Sequence, residues 1–164
     1  MSAVIKEALL NIRPMREEDV ELVIAIENQS YEYPWTKTIF QDCLHVGYCC
    51  WVLERDETLV GYGVMSVAVG ESHLLNLCVH PDYQSIGLGK VLLKHLLELA
   101  QEHNAFMTFL EVRPSNFAAI KLYFDNGFDE IGVRRNYYPA KVGREDALIL
   151  AKTVVRDDHE FQTK

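Results

Sequence analysis

The stretch His73–His103, HLLNLCVHPDYQSIGLGKVLLKHLLELAQEH, decides the fold. Leu74, Leu75, Leu77 and Val79 form an apolar run of strand length. Pro81 breaks it, because proline locks φ and has no N–H to donate. Gln84, Gly87 and Gly89 follow with little bulk between them. From Leu88 onward apolar residues recur at helical spacing through Val91, Leu92, Leu96 and Leu99, with Leu93 and Leu97 widening the stripe. The stretch therefore reads as strand, glycine-bearing loop, helix. Such a loop presents successive backbone N–H groups at a helix N-terminus, which suits an anion, and its glycines let the backbone approach a phosphate.

Three phosphate-loop patterns compete for it. A P-loop needs four residues between its first glycine and the Gly-Lys pair, where Gly87-Leu88-Gly89-Lys90 has one, and Ser or Thr after the lysine, where Val91 stands. A dinucleotide fingerprint needs a third glycine at Leu92 and an early βαβ unit, whereas this stretch lies mid-chain. The third pattern, Gln/Arg-x-x-Gly-x-Gly/Ala after a strand, is met in full by Gln84-Ser85-Ile86-Gly87-Leu88-Gly89. It resembles the acetyl-CoA pyrophosphate loop of the GCN5-related N-acetyltransferases (GNAT). On the hexapeptide alone, an ordinary glycine-bearing helix start stays equally open.

Working outward, 164 residues suit one domain with a self-sufficient core. An apolar content of 49% and a charged content of 24% are those of a soluble globular protein. No apolar run approaches the ~20 residues of a membrane span, and Met1–Glu7 lacks the basic and apolar blocks of a secretion signal. A cytoplasmic protein with reduced thiols is expected. The four cysteines contain no CxxC pair and the six histidines no HxxxH pair, so no metal is expected. The net charge of −8 disfavours nucleic acid and suits a basic peptide drawn in by steering.

Upstream, Ala8–Arg13 reads as a short strand ended by Pro14. A helix follows with acids Glu17–Asp19 in its first turn and Val20, Val23, Ile24 and Ile26 on its apolar face. Tyr31–Trp35 is an aromatic loop, and Thr36 can cap a second short helix. Trp35 is a candidate recognition residue or a plug at the core edge. Tyr48–Arg55 and Leu59–Val69 read as paired strands, with Gly61 and Gly63 at close approaches or bulges. Downstream, Phe106–Val112 is a buried strand, and Ser115–Phe124 leads into a helix ended by Asn126-Gly127. Phe128–Tyr137 and Asp146–Val154 close the chain as a strand pair. The order β-α-α-β-β-β-α-β-α-β-β predicts an α/β fold with a mixed sheet and helices on both faces. One domain over residues 1–155 is expected, with a mobile charged tail at 156–164.

Two residues could carry proton chemistry. Glu111 is a carboxylate in an otherwise apolar strand. Burial would raise its pKa toward that of a useful base, or an arginine such as Arg113, Arg134 or Arg135 could hold it as a structural ion pair. Tyr123 lies seven residues after Asn116, on the same helical face. Its hydroxyl could donate a proton to a leaving thiolate, or sit at the rim of the core.

Longer motifs narrow the likeness. These are Leu110-Glu111-Val112-Arg113, Ser115-Asn116-x-x-Ala119-Ile120-x-Leu122-Tyr123, Gly127-Phe128, Arg134-Arg135-Asn136-Tyr137-Tyr138-Pro139 and Gly143-Arg144-Glu145-Asp146-Ala147. With Pro34-Trp35-Thr36 and Asn76–Pro81 they resemble the ribosomal-protein-alanine N-acetyltransferases (the RimI type) over roughly residues 10–154. The departures are Ser85-Ile86 in the loop, Lys90 for the usual arginine, and an N-terminal extension.

The resemblance implies the GNAT fold and acetyl-CoA as co-substrate. Its pantetheine amides would lie along Leu77, Cys78 and Val79, and its pyrophosphate on N–H groups of Gln84, Ser85, Ile86, Gly87, Leu88, Gly89 and Lys90. Asn116 would hold the pantetheine near the thioester. Glu111 would be the general base, directly or through water, and Tyr123 the acid. A backbone N–H near Val79 would polarise the thioester carbonyl. Trp35, Tyr137 and Tyr138 would line a peptide groove. The implied partner is a protein N-terminus, foremost the N-terminal alanine of a small-subunit ribosomal protein, met by a monomer or weak dimer without nucleic acid or membrane. An α-amine titrates near ~7.7–8.0 and a lysine near ~10.4, so a carboxylate base frees the former more readily. A lysine or small-molecule amine is the alternative acceptor. A non-catalytic acyl-CoA-binding module is a further alternative, against which both Glu111 and Tyr123 speak.

Overall fold

The computed structural model describes residues 8–154; the tail at 156–164 lies outside them. The opening stretch folds as read. Its apolar run is β4 (Glu71–Val79), its Pro81–Tyr83 segment a 3₁₀ turn, and its periodic half α3 (Leu88–Glu102). Around it lie β1 (Leu10–Pro14), α1 (Val20–Ser30), α2 (Lys37–His45), β2 (Cys49–Arg55) and β3 (Thr58–Ala68) before it. β5 (Met107–Val112), α4 (Phe117–Asp125), β6 (Asp129–Pro139) and β7 (Arg144–Thr153) follow. The element order is the one expected. Pro14 belongs to the first strand, which it can do because β1 is at the sheet edge.

Seven strands form one sheet in the order β1-β2-β3-β4-β5-β7-β6. All neighbours are antiparallel except β4 and β5, which α3 connects as a parallel pair. α1 and α2 cover one face, packing Val23, Ile26 and Phe40 on Cys50, Val52, Tyr62 and Val64. On the other face, Leu93 and Leu96 of α3 and Tyr123 of α4 meet Met65, Leu110 and Leu150. Leu92, Leu93 and Leu96 are almost completely buried; each such leucine contributes about 1.5–3 kcal/mol of transfer free energy. Gly63 permits this packing, since a Cβ there would stand 2.6 Å from Leu96 Cδ1.

Local signals match the ends of elements. Thr36 Oγ1 accepts from Ile39 N–H at 3.3 Å and caps α2. Gly127, at φ +90°, turns the chain after α4. Cys49 and Cys50 point to opposite faces, as strand alternation requires, and all four cysteines are free thiols.

Two features of β4 shape the site. Met65 pairs with Leu74 but Val64 with Asn76, so Leu75 is an extra residue that bulges the strand and increases its twist. β4 then pairs with β5 only over Glu71–His73 against Met107–Phe109. Beyond His73 the two parallel strands part, and the sheet forks.

Candidate active site

The fork opens a cleft of about 660 Å³. Ladder alternation decides which backbone groups face it. His80 N–H donates to Val60 O at 2.7 Å, so Cys78 and Asn76 also turn their backbone groups toward β3, while Leu77 and Val79 turn theirs into the gap. The Leu77 carbonyl accepts from the Tyr31 hydroxyl at 3.1 Å and the Val79 carbonyl from Gln84 Nε2 at 2.9 Å. Both carbonyls are thus already engaged, and the edge offers its N–H groups.

Leu77, Cys78 and Val79 form one wall of this cleft. Gln84, Ser85, Gly87, Leu88, Gly89 and Lys90 close its end, and Asn116, Ala119, Leu122 and Tyr123 line the α4 side. Ile86 is expected to serve through its backbone N–H. Its side chain is exposed and outside the lining, so only its backbone can serve the loop. Gly87 stands at φ +89° and Ser85 at φ +65°, and this left-handed path wraps the loop around the N-terminus of α3. Gly89 has a different task. A Cβ there would stand 3.3 Å from Leu122 Cδ2, so the missing side chain sets how close α3 lies to α4.

Tyr123 is buried at the cleft floor, edge-on to Phe128. Burial first, then the neighbouring Tyr138 and Cys78, push its hydroxyl far above the ordinary phenol range, so it remains a donor at physiological pH. Asn116 caps α4, its Oδ1 accepting from Ala119 N–H at 3.2 Å. Only its Nδ2 is left to reach into the cleft.

A second cleft, of about 410 Å³, lies on the far side of Asn116. Tyr31, Glu32, Tyr33, Arg113, Ser115, Lys141 and Glu145 line it, and it shares Ser30, Tyr31 and Asn116 with the first. Arg113 forms its wall, lying 4.3 Å from the Tyr138 ring centroid and 5.3 Å from that of Tyr33, and donating to Pro139 O at 2.8 Å. Glu145 ties this wall to α4 by accepting from Ser115 Oγ at 2.7 Å. The Arg134–Pro139 and Gly143–Ala147 motifs meet here. Asn136 breaks the β6 ladder at φ +54°, its N–H held by Asp146 and its carbonyl by Arg144.

None of the three aromatic residues expected in the groove lines either cleft; Tyr137 and Tyr138 stand behind the wall of the second. Tyr138 supports Arg113 from behind, and Tyr137 stands edge-on to Tyr138 with the Arg134 guanidinium over its ring. Trp35 lies farther off, its indole packed on Phe40 in the α1–α2 core. It is the plug at the core edge.

Glu111 sits just past the fork, on the sheet face opposite Leu110 and Val112. Its side chain is 10% exposed and belongs to neither cleft lining. Oε2 accepts from His73 Nε2, and Oε1 lies 3.4 Å from Arg134 Nε. The expected elevation of its pKa does not occur. Burial acts in that direction, but the His73 hydrogen bond outweighs it, and Arg134 adds to the lowering. Glu111 is therefore fully ionised at neutral pH. It is a weaker base than burial alone would make it, and always ready to accept a proton.

Several residues of the site escape motif reading. Glu27 is 2% exposed and gathers Trp35 N–H, the Tyr62 hydroxyl and Asn76 Nδ2. Its signal was available as an acid adjoining the apolar stripe of α1. Tyr31 and Arg113 become site residues only through the meeting of the two clefts. Among the described residues no group of three His, Cys, Asp or Glu could hold a metal ion, and no helix is long and apolar enough to cross a membrane.

A forked sheet, a glycine loop at the fork's end and a buried tyrosine beneath it are the parts of an acyl-transferase scaffold. The chain belongs to the acetyltransferase (GNAT) family, whose model matches residues 14–128. Among named relatives it is similar to the [ribosomal protein bS18]-alanine N-acetyltransferase of Escherichia coli (strain K12), at 37% identity over 140 residues, 85% of this chain and 95% of that protein. The crystal structure of the ribosomal-protein-S18-alanine N-acetyltransferase from Escherichia coli superposes with a TM-score of 0.84 at 35% identity, covering 90% of this chain and 96% of the other. Ard1 from Thermoplasma volcanium gives a TM-score of 0.82 at 26% identity, covering 90% and 99%.

Proposed function

We propose that this protein transfers an acetyl group from acetyl-CoA to the α-amine of a protein N-terminus, foremost the N-terminal alanine of ribosomal protein bS18. The observation that carries the reading is the junction of the two clefts at Ser30, Tyr31 and Asn116, with Tyr123 buried beside it. One cleft ends in a phosphate-type loop. The other is open, walled by Arg113, and bears Glu32 and Glu145, which suit a basic peptide.

Acetyl-CoA supplies the activated acyl group. The loop from Gln84 to Lys90 holds its pyrophosphate, the N–H groups of Leu77 and Val79 align its pantetheine, and Asn116 Nδ2 steadies the end nearest the thioester. The Val79 N–H stabilises charge that develops on the carbonyl oxygen. Glu111, which lines neither cleft, accepts the proton of the α-ammonium through water. With no proton of its own at neutral pH, it needs no prior ionisation. Tyr123 donates to the departing sulfur. The freed amine forms the new C–N bond as the C–S bond breaks, and the second proton shed by that nitrogen returns to the Tyr123 phenolate, which burial keeps from persisting.

The test is free-thiol release from acetyl-CoA with two basic peptides. One begins Ala-Arg with a free N-terminus; the other is the same peptide α-N-blocked but carrying a free lysine. Release with the first alone is expected. Release with the blocked peptide would replace this reading with a lysine acceptor. Silence with both, despite acetyl-CoA binding, would return the protein to the non-catalytic class.

A further inference from the structure

Glu111 does not reach its place unaided. It is the second residue of β5 beyond the last one paired with β4, and that last pair is Phe109 with His73. In a parallel register the side chains of His73, Phe109 and Glu111 leave the same face of the sheet. The His73 ring therefore leans forward across the fork, and its Nε2 meets Glu111 Oε2. Since the carboxylate is ionised and can only accept, Nε2 carries the proton. The His73 side chain is 37% exposed against 10% for Glu111, so the donor stands at the solvent side and the carboxylate behind it. On the opposite flank Arg134 is more than half exposed and approaches Oε1 without a close hydrogen bond.

We infer that His73 is the positioning residue of the transferase base, holding Glu111 Oε2 across the fork so that Oε1 stays turned toward the reacting amine. The inference rests on Glu111 being the base. His73 touches neither substrate and acts only through Glu111. An unheld carboxylate where β5 has parted from β4 would sample several rotamers, and a displacement of about 1 Å at a reacting group can cost up to ~10²-fold in rate. The charged and titratable groups acting on the pair are few. Glu111 feels His73 from β4 and Arg134 from β6, the Tyr138 hydroxyl of β6 feels Glu111 in turn, and the β3 residue paired with His73 is the uncharged Ser66.

The experiment compares three substitutions. Gln places an amide N–H close to where the histidine Nε2 stands, Asn keeps the polarity but falls short, and Leu keeps only bulk. With acetyl-CoA and an Ala-Arg peptide, His73→Leu and His73→Asn are expected to lose roughly tenfold to a hundredfold in kcat with little change in the KM for acetyl-CoA. His73→Gln should restore most of it. The acid limb of kcat/KM should move to higher pH in His73→Leu, because the strongest influence lowering the Glu111 pKa is gone, and stay near the parent in His73→Gln. Unchanged kcat and pH profile in His73→Leu would overturn the inference. Equal losses in Gln, Asn and Leu would also overturn it, since that pattern marks packing. Glu111→Gln measured alongside separates the two levels. If it keeps turnover, the base assignment itself fails. If it is inactive while His73→Leu is normal, only the role of His73 fails.

Discussion

Two carboxylates on the same side of the sheet behave in opposite ways. Glu27, in the middle of α1, is completely enclosed, and its two oxygens take up three donors from three different segments of the chain. Glu111, past the fork, has one oxygen held by His73 and the other facing an exposed arginine. A carboxylate that gathers three neutral donors in the core is an anchor, because removing it leaves all three buried groups without their partner. A carboxylate whose outer oxygen has only a longer contact with an exposed arginine can take up a proton, as the proposed base must. The number and kind of partners, more than depth of burial, separates the structural acid from the one proposed as base.

The comparison breaks most sharply at Glu27. Glu27→Ala would strand the Trp35 N–H, the Tyr62 hydroxyl and Asn76 Nδ2. It should lower unfolding stability by about 3 kcal/mol or more, read as a fall in denaturation midpoint at an unchanged m-value. A small loss would show that water replaces the carboxylate easily and that Glu27 is not an anchor. Glu111→Gln should leave the melting curve nearly in place and acetyl-CoA affinity intact while reducing turnover ~10²-fold or more, the scale of general-base removal. Parent-like turnover would move the base elsewhere. Tyr123→Phe deletes one donor but keeps the packing on Phe128. A loss of ~10- to 100-fold in kcat is expected, at the modest end of acid catalysis because water can substitute in part. A parent-like kcat would make Tyr123 a core residue.

Gly87→Ala sharpens the cofactor side. An L-residue in the left-handed region costs about 1–2 kcal/mol, so acetyl-CoA should bind roughly tenfold more weakly if loop formation and binding are coupled. Isothermal titration at matched protein stability would detect it, and unaltered affinity would separate the loop from the pyrophosphate. The smallest effect concerns the entry to α1. Arg13 donates to both oxygens of Asp19, at 2.7 and 2.8 Å, and this pairing holds the Asp19 pKa below its ordinary value. The sign follows from that depression. The contribution is fully present above the unfolded value near ~3.9 and is lost as pH falls through the lower folded value. Asp19→Asn should therefore cost about 1.5 kcal/mol at neutral pH, and the gap to the parent in thermal melts should close below about pH 4. A gap that persists in acid would assign the effect to packing.

The reading of the chain succeeded where the information is local. Apolar periods of two and of 3.6, Thr36 before a helix, Gly127 after one and the broken run at Pro81 are written in neighbours a few residues apart, and the element order followed from them. It failed where a residue's state depends on what arrives from elsewhere. Trp35 read as a possible groove residue, and Phe40 and the α1 core claimed its ring. For Glu111, an apolar strand implied a raised pKa. His73, 38 residues away in sequence, reversed the direction.

By itself the sequence determined the secondary elements, the glycine loop and the family likeness, because steric preference and hydrophobic period act over a few residues and survive any rearrangement of distant parts. Only the tertiary structure decided where the sheet forks, that two clefts join beside Tyr123, and which of two carboxylates is enclosed by neutral donors and which is held by His73 and Arg134. Those outcomes depend on a one-residue bulge at Leu75, on three paired residues between β4 and β5, and on donors brought from remote segments. Coulomb and hydrogen-bond energies depend on separation in space, and no pattern along the chain encodes that separation before the chain has folded.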